Sequence, residues 1–105
     1  MKAPAFPWSR PRTRVDLEPS QVAAVLFLLR FGRESDNAVL REMEAVTNLD
    51  RDRCGVALSE LATKGVVGIA YDGEAGLEWV WLTPLGRKLK GKLKPGLHVG
   101  LAVYV

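Results

Sequence analysis

The spacing of apolar residues changes several times along the chain, and each change marks an element. From Val22 to Leu29 every residue is apolar, with Pro19 before the run and Gly32 after it, the proline and glycine positions expected at the start and stop of a helix. A helix apolar on every side is either central or shared with a second subunit. Val39, Leu40, Met43 and Val46 then recur at helical spacing behind Ser35 or Asp36 as cap, which predicts a second helix to about Val46. In Thr47-Asn48-Leu49-Asp50, Asn48 tolerates positive φ, Leu49 plugs the core and Asp50 caps a third helix. Cys54, Leu58 and Leu61 share one face of that helix, and Gly55 is its one poor helix former. The period then becomes two. Val66 to Tyr71 and Leu77 to Leu82 alternate around Asp72-Gly73-Glu74-Ala75-Gly76, predicting a hairpin with a four- or five-residue turn. Pro84 to about Leu93 reads as a fourth helix ended by Pro95-Gly96. Val99, Leu101, Val103 and Val105 share one face of a tail that predicts a strand in need of a partner.

Two phrases sharpen this order: Leu58-Ser-Glu-Leu-Ala-Thr-Lys-Gly-Val-Val67 and Leu82-Thr-Pro-Leu-Gly-Arg-Lys-Leu89. In the first, Leu58 and Leu61 press the helix on the core and Gly65 takes the left-handed stop. With the hairpin between them, they resemble the winged helix-turn-helix of small bacterial and archaeal regulators, the MarR-like and PadR-like kind, over roughly residues 17 to 90. The resemblance implies an α+β fold: a three-helix core, a β-hairpin wing, a fourth helix, and a further strand at the C-terminus. It also implies a sequence-specific DNA-binding transcriptional regulator, and the apolar first helix and C-terminal segment are the surfaces through which a dimer is expected. The chain then divides into a basic, proline-rich arm (1–16), the winged-helix domain (17–94) and an apolar C-terminal segment (95–105).

Length and charge refine the picture. A chain of 105 residues suits one domain with a modest core, and 48% apolar with 26% charged residues is ordinary for a soluble protein. The longest apolar run falls far short of the ~20 residues of a membrane span. No apolar stretch of signal-peptide length precedes the prolines at 4 and 7, so a cytoplasmic protein is expected. One cysteine permits no internal disulfide. The net charge of +3 conceals a partition: residues 15–86 hold six of the 15 bases and all 12 acids, net −6, and both ends are purely basic. A polyanion is drawn first to the ends.

In winged helices that bind DNA, residues near the N-terminus of the third helix reach base edges. Here these are Arg51, Asp52, Arg53, Val56 and Ser59, with Asp52, Val56, Ser59 and Thr63 facing outward and both arginines on the flanks. Arg51 and Arg53 suit guanine or phosphate, against the plainer reading of a solvated helix face. Arg10, Arg12 and Arg14 resemble the short basic arms laid in A·T-rich minor grooves, against the plainer reading of a disordered solubilising tail. Lys88 and Lys90 are candidates for phosphate contact, against simple solubility. The wing tip departs from the pattern, with Asp72, Glu74 and Glu78 where a phosphate-seeking wing carries Arg or Lys. Trp79 and Trp81 lie on one face of the second wing strand, opposite Val80 and Leu82. Either the arm with Phe6 and Trp8, or the C-terminal strand, covers them, or they form a partner interface.

Catalytic chemistry finds no pattern: His98 and Cys54 are far apart in sequence, no metal-ligand cluster occurs, and Gly73 and Gly76 flank a turn between strands rather than opening a helix. The chain is expected to be neither an enzyme nor a holder of a cofactor or metal. Its expected partners are double-stranded DNA and a second copy of itself. The alternative is a protein-interaction winged helix, an adaptor or a phage or plasmid factor docking on a host complex through the wing face.

Overall fold

A computed structural model of the chain describes residues 12–94, 96 and 98–105. Its elements run β1 (Arg14–Leu17), α1 (Pro19–Phe31), β2 (Glu34–Ser35), α2 (Asp36–Thr47), α3 (Arg51–Thr63), β3 (Val67–Asp72), β4 (Leu77–Leu82), α4 (Pro84–Arg87) and β5 (Leu101–Tyr104). Strands β2, β4 and β3 form one antiparallel sheet in that order, and β1 pairs with β5 in a second. This is the α+β winged helix-turn-helix: α1, α2 and α3 pack together, and the β3–β4 hairpin stands beside them.

Local chemistry sets each boundary. Pro19 opens α1 and Gly32 closes it at φ 81°, where the Gly32 N–H returns to the Leu28 carbonyl at 2.7 Å. Ser35 caps α2 by accepting from the Ala38 N–H at 3.2 Å. Asn48, at φ 56°, turns the chain left-handed, and the Asp50 side chain accepts from the Arg53 N–H at 2.8 Å to start α3. The helix-turn-helix therefore follows its predicted residues. Val22, Val25 and Leu28 of α1, Val39 and Met43 of α2, and Cys54, Leu58 and Leu61 of α3 close the core with Val80 and Leu82 of β4.

The two phrases of the sequence meet at one joint. The Thr83 hydroxyl donates to the carbonyls of Gly65 and Val66 and accepts from the Gly86 N–H at 3.1 Å, capping α4 while tying it to the end of α3. Gly65 stops α3 at φ 78°. Gly86 lies so close to the Val66 carbonyl that a Cβ would stand 2.2 Å from that oxygen, so only glycine fits.

Buried Gln21 of α1 adds a polar clasp that its apolar surroundings gave no sign of. Its amide nitrogen donates to the Ala57 carbonyl at 3.1 Å and to Glu60 at 3.3 Å. Its oxygen accepts from the Glu18 N–H at 2.8 Å and the Lys64 ammonium at 3.3 Å. The side chain spends all its bonding capacity holding α1 across the middle of α3.

The structure departs from these expectations or adds to them in three places. The fourth helix does not reach Leu93: α4 ends at Arg87, Leu89 and Lys90 bond back to the third residue before them, and Gly91 then turns the chain at φ 80°, with Lys92 bonding back to Leu89 across it. The strand β2 was not anticipated; two polar residues carry no period, and their pairing is imposed by Val80 and Trp79 of β4. The C-terminal strand exists, but its partner is β1, with Val15 opposite Val103 and Leu17 opposite Leu101. It joins a sheet separate from β4 and its tryptophans, and Arg14 to Asp16, expected within the arm, belong to a paired strand.

Candidate nucleic-acid interface

Helix α3 presents its outward face where the pattern placed it. Arg51, Asp52, Arg53, Val56, Ser59 and Thr63 are exposed, Val56 to 60%, while Cys54, Ala57, Leu58 and Leu61 anchor the opposite side. Leu40 of α2 and Arg51, Val56 and Ser59 of α3 share one shallow groove. An exposed valine among polar residues offers apolar contact of the kind a thymine methyl makes.

Both arginines are already engaged. Arg51 stands 3.5 Å from the Glu44 carboxylate and also donates to the Asn37 side chain, both on α2. Arg53 lies 3.7 Å from Asp50. Exposed pairs of this kind contribute about 0–1 kcal/mol, so a phosphate or base edge can displace the carboxylate. The stretch from Asp50 to Glu60 nevertheless holds three acids and two bases. Cys54 is buried beneath this face, and burial, reinforced by Glu44, pushes its thiol above the ordinary range.

The other basic candidates lie elsewhere. Arg14 of β1 pairs with Asp16 at 3.0 Å, which raises its pKa. The Lys64 ammonium, just past α3, donates to the Asp16 carbonyl at 2.6 Å, so β1 sits by the C-terminal end of the helix, roughly 18 Å along its axis from Arg51. Arg12 is exposed ahead of β1, and Arg10 lies outside the described residues, as do Phe6 and Trp8. Lys88 and Lys90 are exposed after α4, and Lys90 borders grooves formed by α1 and the base of the wing. The structure thus brings Arg51, Arg53, Val56 and Ser59 together, places Arg14 by the other end of α3, and sets Lys90 against α1 and the base of the wing.

On the wing, Val80 and Leu82 are buried against the helices and Trp79 and Trp81 are half-buried on the outer face. Their cross-strand neighbours are Ala70 and Gly68. Trp81 lies so close over Gly68 that a Cβ there would stand 2.5 Å from its ring. Arg33, between α1 and β2, stacks on Trp79 with its guanidinium carbon 4.5 Å from the ring centroid. No periodicity marks Arg33; its signal in the sequence is position, a charge directly after the helix-closing Gly32. At the tip, Asp72 accepts from the N–H groups of Glu74 (3.0 Å) and Ala75 (3.2 Å) and from the Trp79 indole (3.3 Å). The Ala75 amide first, then the indole, holds its carboxyl below the usual range. Its charge is structural, spent on the turn. Tyr71 beside it is 69% exposed.

Among the described residues, no group of three or more His, Cys, Asp or Glu could hold a metal ion, and no helix is long and apolar enough to cross a membrane.

A three-helix core with a helix-turn-helix, a β-hairpin wing and an uncovered third helix defines the winged-helix class. Among solved structures the chain is similar to a transcriptional regulator of the MarR family from Silicibacter pomeroyi. The TM-score is 0.62 at 21% sequence identity, covering 73% of this chain and 49% of that one. The likeness is one of fold, and the chain spans about half the length of that protein. No protein-family model and no curated protein sequence matches the chain.

Proposed function

We propose that the protein is a DNA-binding transcriptional regulator, not an enzyme, in which α3 enters the major groove. The observation that carries this reading is the uncovered face of α3: Val56 and Ser59 at its centre, Arg51 and Arg53 at its N-terminal end. Arg51 and Arg53 exchange their carboxylate partners for base edges or phosphate, and Val56 and Ser59 complete the contact. Arg12 and Arg14, with Arg10 before them, and Lys88 and Lys90 act at longer range, raising the local concentration of the polyanion without reading it. A second copy docks through α1, where the Phe27 and Phe31 rings meet at 4.9 Å, tilted by 53°, and Phe31 is 51% exposed. The two third helices would then read half-sites about 34 Å, or a multiple of it, apart.

Fluorescence anisotropy against a labelled duplex at low and near-physiological salt tests the reading. Binding should fall steeply with salt. Arg51→Ala and Arg53→Ala should each cost about 1–3 kcal/mol on the preferred sequence, while Lys88→Ala and Lys90→Ala weaken all sequences alike. No binding by the folded protein at low salt would overturn it.

One observation favours a second reading, a protein-docking winged helix. Asp72, Glu74 and Glu78 on the wing and Asp52 and Glu60 on α3 put acid where a phosphate backbone would pass. That reading expects no duplex affinity, and loss of a protein partner on Trp79→Ala or Trp81→Ala.

A further inference from the structure

Between α1, the base of the wing and the turn after α4 lies a groove of about 530 Å³, to which α3 contributes nothing and of whose residues the duplex reading uses only Lys90. Its lining includes Trp81, Arg33, Arg87 and Lys90 over an apolar floor that includes Leu28 and Leu82, and no acid lines it. None of the three cations has a carboxylate within ion-pair distance among the described residues. This contrasts with Arg51 and Arg53, both already paired. One face of the Trp81 indole rests on Gly68. The ring also borders the groove, and its Nε1–H has no hydrogen-bond partner among the described residues.

We propose that this groove binds a nucleobase carrying a phosphate, stacked on Trp81 with its charge held by Arg33, Arg87 and Lys90. An aromatic platform calls for a planar apolar body, and three cations at its rim, Arg87 and Lys90 with no acid beside them in the groove and Arg33 with Asp72 acting on it only from beyond ion-pair distance, call for an anion attached to that body. Together they describe a nucleotide unit. Inside a duplex the bases are stacked on one another and present only their edges, so the ligand is an unstacked base: part of a single strand, or a free nucleotide. Arg33 is restrained for the task, because its contact with the Trp79 ring holds the guanidinium at the groove and leaves N–H groups to donate. The proposal stands independently of duplex contact by α3.

The test uses the full chain and a labelled twelve-residue oligodeoxyadenylate, set against an abasic strand of equal length and charge. Both are measured by anisotropy at low salt, with deoxyadenosine monophosphate as competitor. The adenine strand should bind on the order of tenfold more tightly than the abasic one, and Trp81→Phe should shrink that gap several-fold. The exposed double change Arg87→Glu with Lys90→Glu does not threaten folding and should weaken both strands tenfold or more, while Arg51→Ala leaves both unchanged. Displacement by the monophosphate identifies a free nucleotide as ligand; its failure to compete, with strand binding intact, identifies the strand. Equal affinity for the adenine and abasic strands overturns the proposal. So does strand binding indifferent to Arg87→Glu with Lys90→Glu, or no binding by the folded protein, and the face would then fit a polypeptide. Loss of duplex binding in Arg51→Ala with strand binding retained would separate this site from α3.

Discussion

Helix α3 and the outer face of the wing carry similar kinds of residue and use them in opposite ways. On α3 the arginines are paired with Glu44 and Asp50 and the exposed centre is the apolar Val56. On the wing face the Trp81 ring lies over Gly68, and Arg33 stands over the Trp79 ring with Asp72 acting on it only from beyond ion-pair distance. Formal charge alone would rank these surfaces together. Partners separate them: a paired cation exchanges one anion for another at small net gain, whereas an unpaired one is an open site for the first anion to arrive. The two also depend on different supports. Helix α3 is oriented by a buried polar side chain, Gln21, and the wing face by the absence of one, at Gly68.

The sharpest way to break the comparison is to remove the support of α3. Gln21→Ala strips four hydrogen-bond partners of their mate in a fully buried position. It should cost about 2–4 kcal/mol of stability, from lost hydrogen bonding and the space left behind. Urea denaturation measures it, and duplex affinity of the surviving folded fraction should fall as α3 loses its fixed angle to α1. A loss under about 0.5 kcal/mol would mean that apolar packing alone sets that angle.

A smaller effect is expected on the other surface. In Gly68→Ala the new methyl meets the Trp81 ring at 2.5 Å, so the ring must leave its bed. Overpacking of this kind costs about 1–3 kcal/mol. Tryptophan emission should shift to the red as the indole moves into water, while contact between α3 and a duplex is kept. An unchanged spectrum with unchanged stability would show that the ring has room to slide, and the contrast between the surfaces would lose its structural basis.

What the sequence disclosed follows from which residues have narrow conformational needs. Asn48 at positive φ, Asp50 as cap, Gly65 as stop and the alternation of Leu77 to Leu82 each admit few structures, so the helix-turn-helix and the hairpin could be read directly. Glu34 and Ser35 have no such need, and their strand is visible only from β4. The partner of the C-terminal strand did carry a signal, the alternation of Arg14-Val15-Asp16-Leu17, but the prolines and arginines before it made the segment read as an arm. Gln21 and Arg33 were hidden for a different reason. Each acts through residues distant in sequence, Ala57 and Trp79, and no local pattern encodes that meeting. Among the candidate residues, the α3 set could be grouped from helical spacing alone. The place of Lys90 against α1 and the base of the wing could not be read, because the path of the chain after β4 depends on Gly86 meeting Val66.

The most delicate contrast concerns acidity at the wing. Asp72 has its carboxyl held below the ordinary carboxylate range, first by the Ala75 amide and then by the Trp79 indole. A group whose pKa is depressed on folding stabilises the fold above its ordinary pKa, about 3.9. That contribution is lost as the pH falls through the lower, folded value. Asp72→Asn retains one acceptor oxygen but cannot carry the charge that strengthens these bonds. Wild type should therefore exceed the variant in wing stability at neutral pH, with the difference closing below about pH 4. The Trp79 indole proton is the reporter: in wild type its NMR resonance should move with acid titration of Asp72, and in Asp72→Asn it should stay still. Helix α3 supplies the internal control, since Arg51 draws on Glu44 and Asn37 rather than on this carboxylate. A difference between wild type and variant that persists unchanged to pH 2 would show that the carboxylate charge is idle, and that the turn is held by the geometry of its acceptor alone.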